Sequence, residues 1–149
     1  ITNPQNLGMI IRSVAASPMD GLLLPRKGCA KIDPLVHKAS AGTLIKSSIY
    51  HCPTSESGLK SLRPKGYQLI GLSGGVDRSL SDIGNANEKI VFVLGNETTG
   101  ISEPVLALCD ELACIPLESG VESINVAMAA TLVAFRTTFS SNRSKNSLS

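Results

Sequence analysis

The chain has 149 residues, 42% of them hydrophobic and 17% charged, with a net charge of +2 at pH 7. That balance describes one folded domain, long enough to bury a substantial core. It excludes the strongly basic footprint of a protein that grips nucleic acid by charge alone, and aromatics at 3% with no Trp leave little on which to stack unpaired bases.

Asn6 to about Ala16 reads as a helix, with Leu7, Ile10, Ile11 and Val14 on one face. Leu22 to Leu24 is a short buried strand, and Pro34 starts a helix through Leu35, Val36 and Ala39. Ser48 to Cys52 follows as a strand, then a helix from Ser55 to Leu62 stopped by Pro64 and Gly66. Tyr67 to Leu72 is a strand that ends in the flexible turn Ser73-Gly74-Gly75. Lys89 to Leu94 reads as a strand in which Ile90 to Leu94 are apolar without a break, the pattern of a central parallel strand buried on both faces. Ser102 with Pro104 marks a helix start, Leu112 to Ile115 the last strand, and Ser123 to about Phe139 a closing helix. Serine-rich Ser140 to Ser149 reads as a polar flexible tail. Alternating strands and helices predict an α/β fold, a mostly parallel sheet with helices on both faces, in one domain over 1–139.

No apolar run reaches the roughly 18 residues of a membrane helix. Cys29, Cys52, Cys109 and Cys114 form no CxxC pair and have no nearby His to complete a zinc pattern, so no metal site is expected, and reduced thiols in a cytoplasmic protein are. An organellar location stays open if a targeting segment has been removed. His37 and His51 lie outside every motif and read as surface or satisfied histidines. Lys and Arg gather at Arg26-Lys27 with Lys31, at Lys60 with Arg63 and Lys65, and at Arg136 with Arg143 and Lys145. A solvated surface explains each cluster as well as a phosphate contact does.

Residues 115–130, IPLESGVESINVAMAA, carry the most information. A strand end closes on Pro116, a Ser/Gly/Glu loop follows, and Ser123-Ile124-Asn125 opens a helix whose first amides point into that loop. Alone this is an ordinary capped helix after a turn. Two further blocks change its meaning: Asn3-Pro4-Gln5-Asn6-Leu7-Gly8-Met9-Ile10-Ile11-Arg12, and Phe92-Val93-Leu94-Gly95-Asn96-Glu97-Thr98-Thr99-Gly100-Ile101-Ser102. Together, in this order, the three blocks resemble the motifs of the SpoU (TrmH-type) RNA ribose 2'-O-methyltransferases of the SPOUT superfamily. Asn6, Gly8 and Arg12 match NxGxxxR; Gly95, Glu97 and Gly100 match GxExxG; Pro116 with Ser123 and Asn125 matches the proline followed by SxN. The resemblance runs from Asn3 to about Arg136. Departures are local: Pro18 stands where the family often has glycine, Ile124 where leucine is usual, and Thr99 in a loop that often has more glycine.

The resemblance implies a C-terminal trefoil knot, a first strand cut short at the N-terminus of this chain, and often an additional RNA-binding domain ahead of the catalytic one. It implies S-adenosylmethionine as cofactor, lying against Gly95, Ile115 and Ile124 with Leu72, Gly74, Leu117 and Ser123 nearby. RNA is the implied substrate, rRNA ahead of tRNA, and a homodimer the implied assembly, with the last helix offering Val126, Ala127, Ala130, Val133 and Ala134 for close packing. A catalytically silent RNA-binding paralogue is the alternative, and the intact Asn6, Arg12, Glu97, Ser123 and Asn125 at the reacting end count against it. An unperturbed guanidinium does not readily give up its proton. Arg12 is therefore read as a clamp on RNA phosphate and a stabiliser of the developing alkoxide. Glu97 either orients Arg12 or a neighbouring amide, or favours the start of the following helix. Asn125 either positions Ser123 and the ribose, or bonds its own backbone.

Overall fold

The computed structural model describes residues 1–84 and 88–140. Of the expected tail only Ser140 is among them, as the end of the last helix; Arg143 and Lys145 lie outside the described residues.

Helix α1 spans Pro4–Ala15. The sequence pattern starts it at Asn6, but Asn3 is its cap: the side chain of Asn3 accepts from the backbone N–H groups of Gln5 and Asn6, and Pro4 occupies the first turn, where a missing N–H costs nothing. Strand β1, Leu22–Pro25, precedes helix α2, Pro34–Ala39, which is capped by Asp33 accepting from Val36 N–H at 2.9 Å. Strand β2, Ile49–Cys52, leads to helix α3, Ser55–Leu62, with Thr54 and Ser57 in a reciprocal capping box. The strands and α-helices that follow are β3 (Gln68–Leu72), β4 (Ile90–Val93), α4 (Glu103–Leu106), β5 (Glu111–Ala113) and α5 (Val126–Ser140). Ser102 stands at the cap position of α4, yet its side chain makes no capping bond.

Among the described residues every strand pairing is parallel, but the strands form two sheets rather than one, β1-β2 and β4-β3-β5. Between them Ile1–Asn3 makes a seam: Ile1 C=O accepts from Ala30 N–H on the β1 side, and Thr2 and Asn3 N–H donate to Glu97 beyond β4. The strand read as central, β4, is an edge of its sheet and only half-buried, whereas β3 is the middle strand, with Leu69, Ile70 and Gly71 buried. An unbroken apolar run reports covered faces and says nothing about which hydrogen-bonding edges are paired. Both faces of β4 are indeed packed: Val91 and Val93 on one side, Ile90 and Phe92 on the other.

Helices cover both sides. Helix α3 straddles the two sheets, with Gly58 set so close to Cys52 and Leu23 that a Cβ would meet their side chains at 2.7 and 3.0 Å, and Leu59 packed with Leu69 and Val105. On the opposite side, Leu7 and Ile11 of α1 bury against Leu24 and Val36, each worth about 1.5–3 kcal/mol. Ile10 and Val14 meet Ala127 and Ala130 of α5. Ala127 and Ala130 thus face α1 inside the chain, Val133 and Ala134 are buried as well, and Met128 and Leu132 are exposed apolar residues of this helix. Among the described residues no helix is long and apolar enough to cross a membrane.

Candidate functional site

Three side chains from distant parts of the chain meet beyond the carboxyl end of β4. Helix α5 begins at Val126, not at Ser123, because Asn125 is its cap: the Oδ1 of Asn125 accepts from Ala127 N–H at 2.8 Å. That bond commits the oxygen of Asn125 to the helix and turns its amide Nδ2 outward, where it donates to Asn6 Oδ1 at 3.1 Å. Asn6, buried in the first turns of α1, is then left with its own amide, which donates to Glu97 Oε1 at 3.2 Å. A backbone N–H at one end can only donate and a carboxylate at the other can only accept, so both amide orientations in the chain are determined by their neighbours.

Glu97 is held in place by more than Asn6. Its Oε2 accepts from Thr2 N–H at 3.1 Å and its Oε1 from Asn3 N–H at 3.2 Å. Burial pushes this carboxyl upward, but hydrogen bonds from its own backbone, Thr2, the Asn6 amide and Asn3 outweigh it and bring its pKa down to about 2. The carboxylate is therefore ionised at neutral pH, and it makes no ion pair among the described residues.

The loop that presents Glu97 has little freedom. Asn96 and Gly100 exchange backbone hydrogen bonds at 2.8 and 3.0 Å, the Oδ1 of Asn96 accepts from Thr98 and Thr99 N–H, and Gly100 has φ +70. A Cβ on Gly95 would collide with the backbone of Gly100, so the tight return needs glycine at both ends.

The residues assigned to a cofactor fall on three adjoining loops. Because β3 pairs with both β4 and β5, with Gly71 opposite Val93 and Leu72 opposite Ala113, the segments after these strands leave the sheet side by side. Leu72 ends β3, and Gly74 lies beside Glu122, whose C=O would be 3.7 Å from a Cβ at that position. Ile115, Leu117 and Ile124 are half-buried along the third loop, and Ser123 is exposed. Among the described residues, the one backbone-to-backbone hydrogen bond donated from 115–125 is Val121 N–H to Glu118 C=O. The remaining amides are free to meet a polar ligand, and Ser119 and Gly120, at φ +59 and +74, turn the backbone sharply there. Such a wall of free amides and aliphatic side chains beyond strand ends suits a polar small molecule bound largely by backbone.

Arg12 does not join this cluster within the chain. Six residues beyond Asn6, it lies about 9 Å further along α1 and about 120° round its axis. It is exposed, and its side chain makes no hydrogen bond or ion pair among the described residues. Glu97 thus orients Asn6 and the Thr2–Asn3 backbone, not Arg12. Thr2 and Asn3 are partners of Glu97 that no motif marks, although the Asn3-Pro4 pair, a cap followed by a first-turn proline, signals a helix start at Asn3.

The SpoU rRNA Methylase family model matches residues 1–135, which takes in all three segments of the Asn125–Asn6–Glu97 chain. The protein belongs to that family. An uncharacterized tRNA/rRNA methyltransferase of Mycobacterium ulcerans (strain Agy99) is 33% identical over 133 residues, 89% of this chain and 43% of the relative. This SpoU-family chain therefore spans less than half the length of that relative. Among solved structures, the SpoU methyltransferase AviRb from Streptomyces viridochromogenes in complex with AdoMet superposes with a TM-score of 0.82 at 28% identity, over 95% of this chain and 58% of AviRb. A protein solved for the 2-OH methylation of C/U34 on tRNA gives a TM-score of 0.81 at 25% identity, over 95% of this chain and 91% of its own.

Proposed function

We propose that the chain is the catalytic part of an S-adenosylmethionine-dependent methyltransferase acting on a ribose 2'-hydroxyl of RNA, with rRNA as the first substrate to test. The observation that carries this reading is the hydrogen-bonded chain from the Asn125 cap through Asn6 to Glu97. It locks the three motif segments together beside the free amides of the 115–125 loop. Gly74, Gly95, Ile115, Leu117 and Ile124 would hold S-adenosylmethionine, which when bound would supply a methyl group on a sulfonium. Transfer would form a bond from ribose O2' to that methyl carbon, break the carbon–sulfur bond to leave a neutral thioether, and pass the hydroxyl proton to solvent water. Holding the two partners in line accounts for a large share of such a rate. In this assignment Asn6, Ser123 and Asn125 position the ribose, and Glu97 keeps Asn6 oriented. Arg12 grips the adjacent phosphate with its planar fork and stabilises the developing alkoxide.

Since Arg12 stands apart from the other polar residues in one chain, the proposed site is completed in a homodimer, through the exposed apolar faces at Met9 on α1 and at Met128 and Leu132 on α5. A tRNA substrate is the second reading, favoured by the 91% coverage of the protein studied for tRNA 2-OH methylation.

The deciding assay incubates the purified protein with methyl-labelled S-adenosylmethionine and either rRNA or tRNA, then digests the RNA to nucleosides. Label in 2'-O-methylnucleosides from rRNA is expected. Label confined to tRNA selects the second reading, and label on a base overturns the ribose assignment.

A further inference from the structure

The charge of this chain is divided unevenly. Residues 1–52 hold six Lys and Arg against two Asp, a net +4, whereas residues 53–149 hold eight against ten, a net −2. The basic half contains α1, β1, α2 and β2; the proposed cofactor loops all belong to the other half.

Within the described residues, most cations of the second half are engaged by the fold itself. Arg63 pairs with Asp110 and Arg78 with Glu111, each at 2.6 Å. Lys89 donates to Lys65 C=O and lies over Tyr67, while Arg136 donates to the carbonyls of Ile83 and Gly84 and stacks on Phe92. The loop after β1 is different. Arg26, Lys27 and Lys31 are all exposed, with no hydrogen bond or ion pair from their side chains among the described residues. No acidic residue lies between Asp20, before β1, and Asp33, which is occupied in capping α2. Exposed cations repel one another, so a cluster with no counter-charge lowers stability unless an anion is there to meet it.

The loop is also held next to the site. Ala30 N–H donates to Ile1 C=O at 2.8 Å, and the next two residues, Thr2 and Asn3, donate to Glu97. Cys29, its thiol pushed up chiefly by burial, lies close enough to register the charge of Glu97. Gly28, at φ +75 with open space around it, turns the loop between Lys27 and the anchored Cys29–Ala30.

We infer that the Arg26–Lys31 loop is an RNA docking rim, whose three cations hold backbone phosphates of the strand flanking the reacting nucleotide. This rests on the RNA methyltransferase reading and adds where the substrate strand runs: across the β1 side of the site, away from the cofactor loops. Phosphate contacts position a strand without reading its sequence, in keeping with the shortage of aromatic side chains.

The test compares the unaltered protein with the triple variant Arg26→Ala/Lys27→Ala/Lys31→Ala and a control, Lys60→Ala/Lys65→Ala, in α3 and the turn that follows it. Binding to fluorescent single-stranded rRNA fragments is measured from 50 to 300 mM KCl. Three lost contacts at about 0.7 ion each lower the slope of log K against log salt by about 2, and weaken binding about a hundredfold at 0.1 M salt. S-adenosylmethionine affinity by calorimetry and the melting temperature stay unchanged, and the control keeps the full slope. An unchanged slope and affinity in the triple variant, with folding intact, overturns the docking rim. The enzymatic reading is judged separately by methyl transfer from the unaltered protein. If that protein transfers no methyl group to RNA, the reading falls, while the salt slope still decides the rim.

Discussion

The coupling between Asn6 and Asn125 is open to direct measurement by a double-mutant cycle. Asn6→Ala removes two hydrogen bonds, one to Glu97 and one from Asn125, at a buried position. At about 1 kcal/mol for each bond, with the charge-assisted one discounted because Glu97 is exposed, the expected cost is about 2 kcal/mol. Asn125→Ala removes the same Asn6 bond and the cap on Ala127, which adds about 1 kcal/mol, for about 2 kcal/mol in all. The shared bond can be lost only once, so the double variant should be more stable than additivity predicts by about 1 kcal/mol. Urea denaturation at pH 7, following helix content by circular dichroism, resolves that difference. Thermal scans should show each single variant melting about 4–9 °C lower. If the two costs add within about 0.3 kcal/mol, the two amides are not coupled and the network linking the three motifs is refuted.

Three further outcomes are expected. Arg12→Ala lowers methyl transfer at least about a hundredfold with S-adenosylmethionine affinity unchanged, and Arg12→Lys is impaired as well, since a point ammonium cannot reproduce a planar bidentate grip; near-normal turnover by Arg12→Ala would end its catalytic assignment. Glu97 has its folded-state pKa depressed from 4.5 to about 2, so it stabilises the fold fully above pH 4.5 and ceases to as pH falls toward 2. Denaturation of the unaltered protein and Glu97→Gln across that range should show a gap, below about 1 kcal/mol because the group is exposed to solvent, that closes on acidification; a gap independent of pH contradicts the cause given for the shift. Light scattering at micromolar concentration should return twice the 15.6 kDa of one chain, reduced to one chain by Met128→Asp/Leu132→Asp; a monomeric mass for the unaltered protein removes the shared site.

Much of the local structure was legible because it is written in short-range chemistry. Helix α3 runs over the span that its capping residue and the following Pro64 and Gly66 mark out, and β3 departs by one residue from its apolar run. The three motif segments could be recognised because their glycines, amides and carboxylate are local requirements of tight loops and helix starts, as the collision awaiting any Cβ on Gly95 shows.

What the order of residues does not contain is partner choice across space. Burial of the faces of β4 shows in its side chains, but its edge position depends on which strand lies beside it, and backbone pairing leaves no mark on composition. Glu97 had Arg12 as the more obvious electrostatic partner. Tertiary structure instead brings Asn6, Thr2 and Asn3 to it and leaves Arg12 on another face of α1, because six residues of helix turn a side chain well away from its starting direction. The basic clusters looked alike in sequence; folding engaged Arg63 with Asp110 and Arg136 with two carbonyls, and left Arg26, Lys27 and Lys31 unpaired beside the site. Capping, turn geometry and periodicity act over a few residues and can be read along the chain, whereas the pairing of charges, amides and strand edges is decided only when distant segments meet.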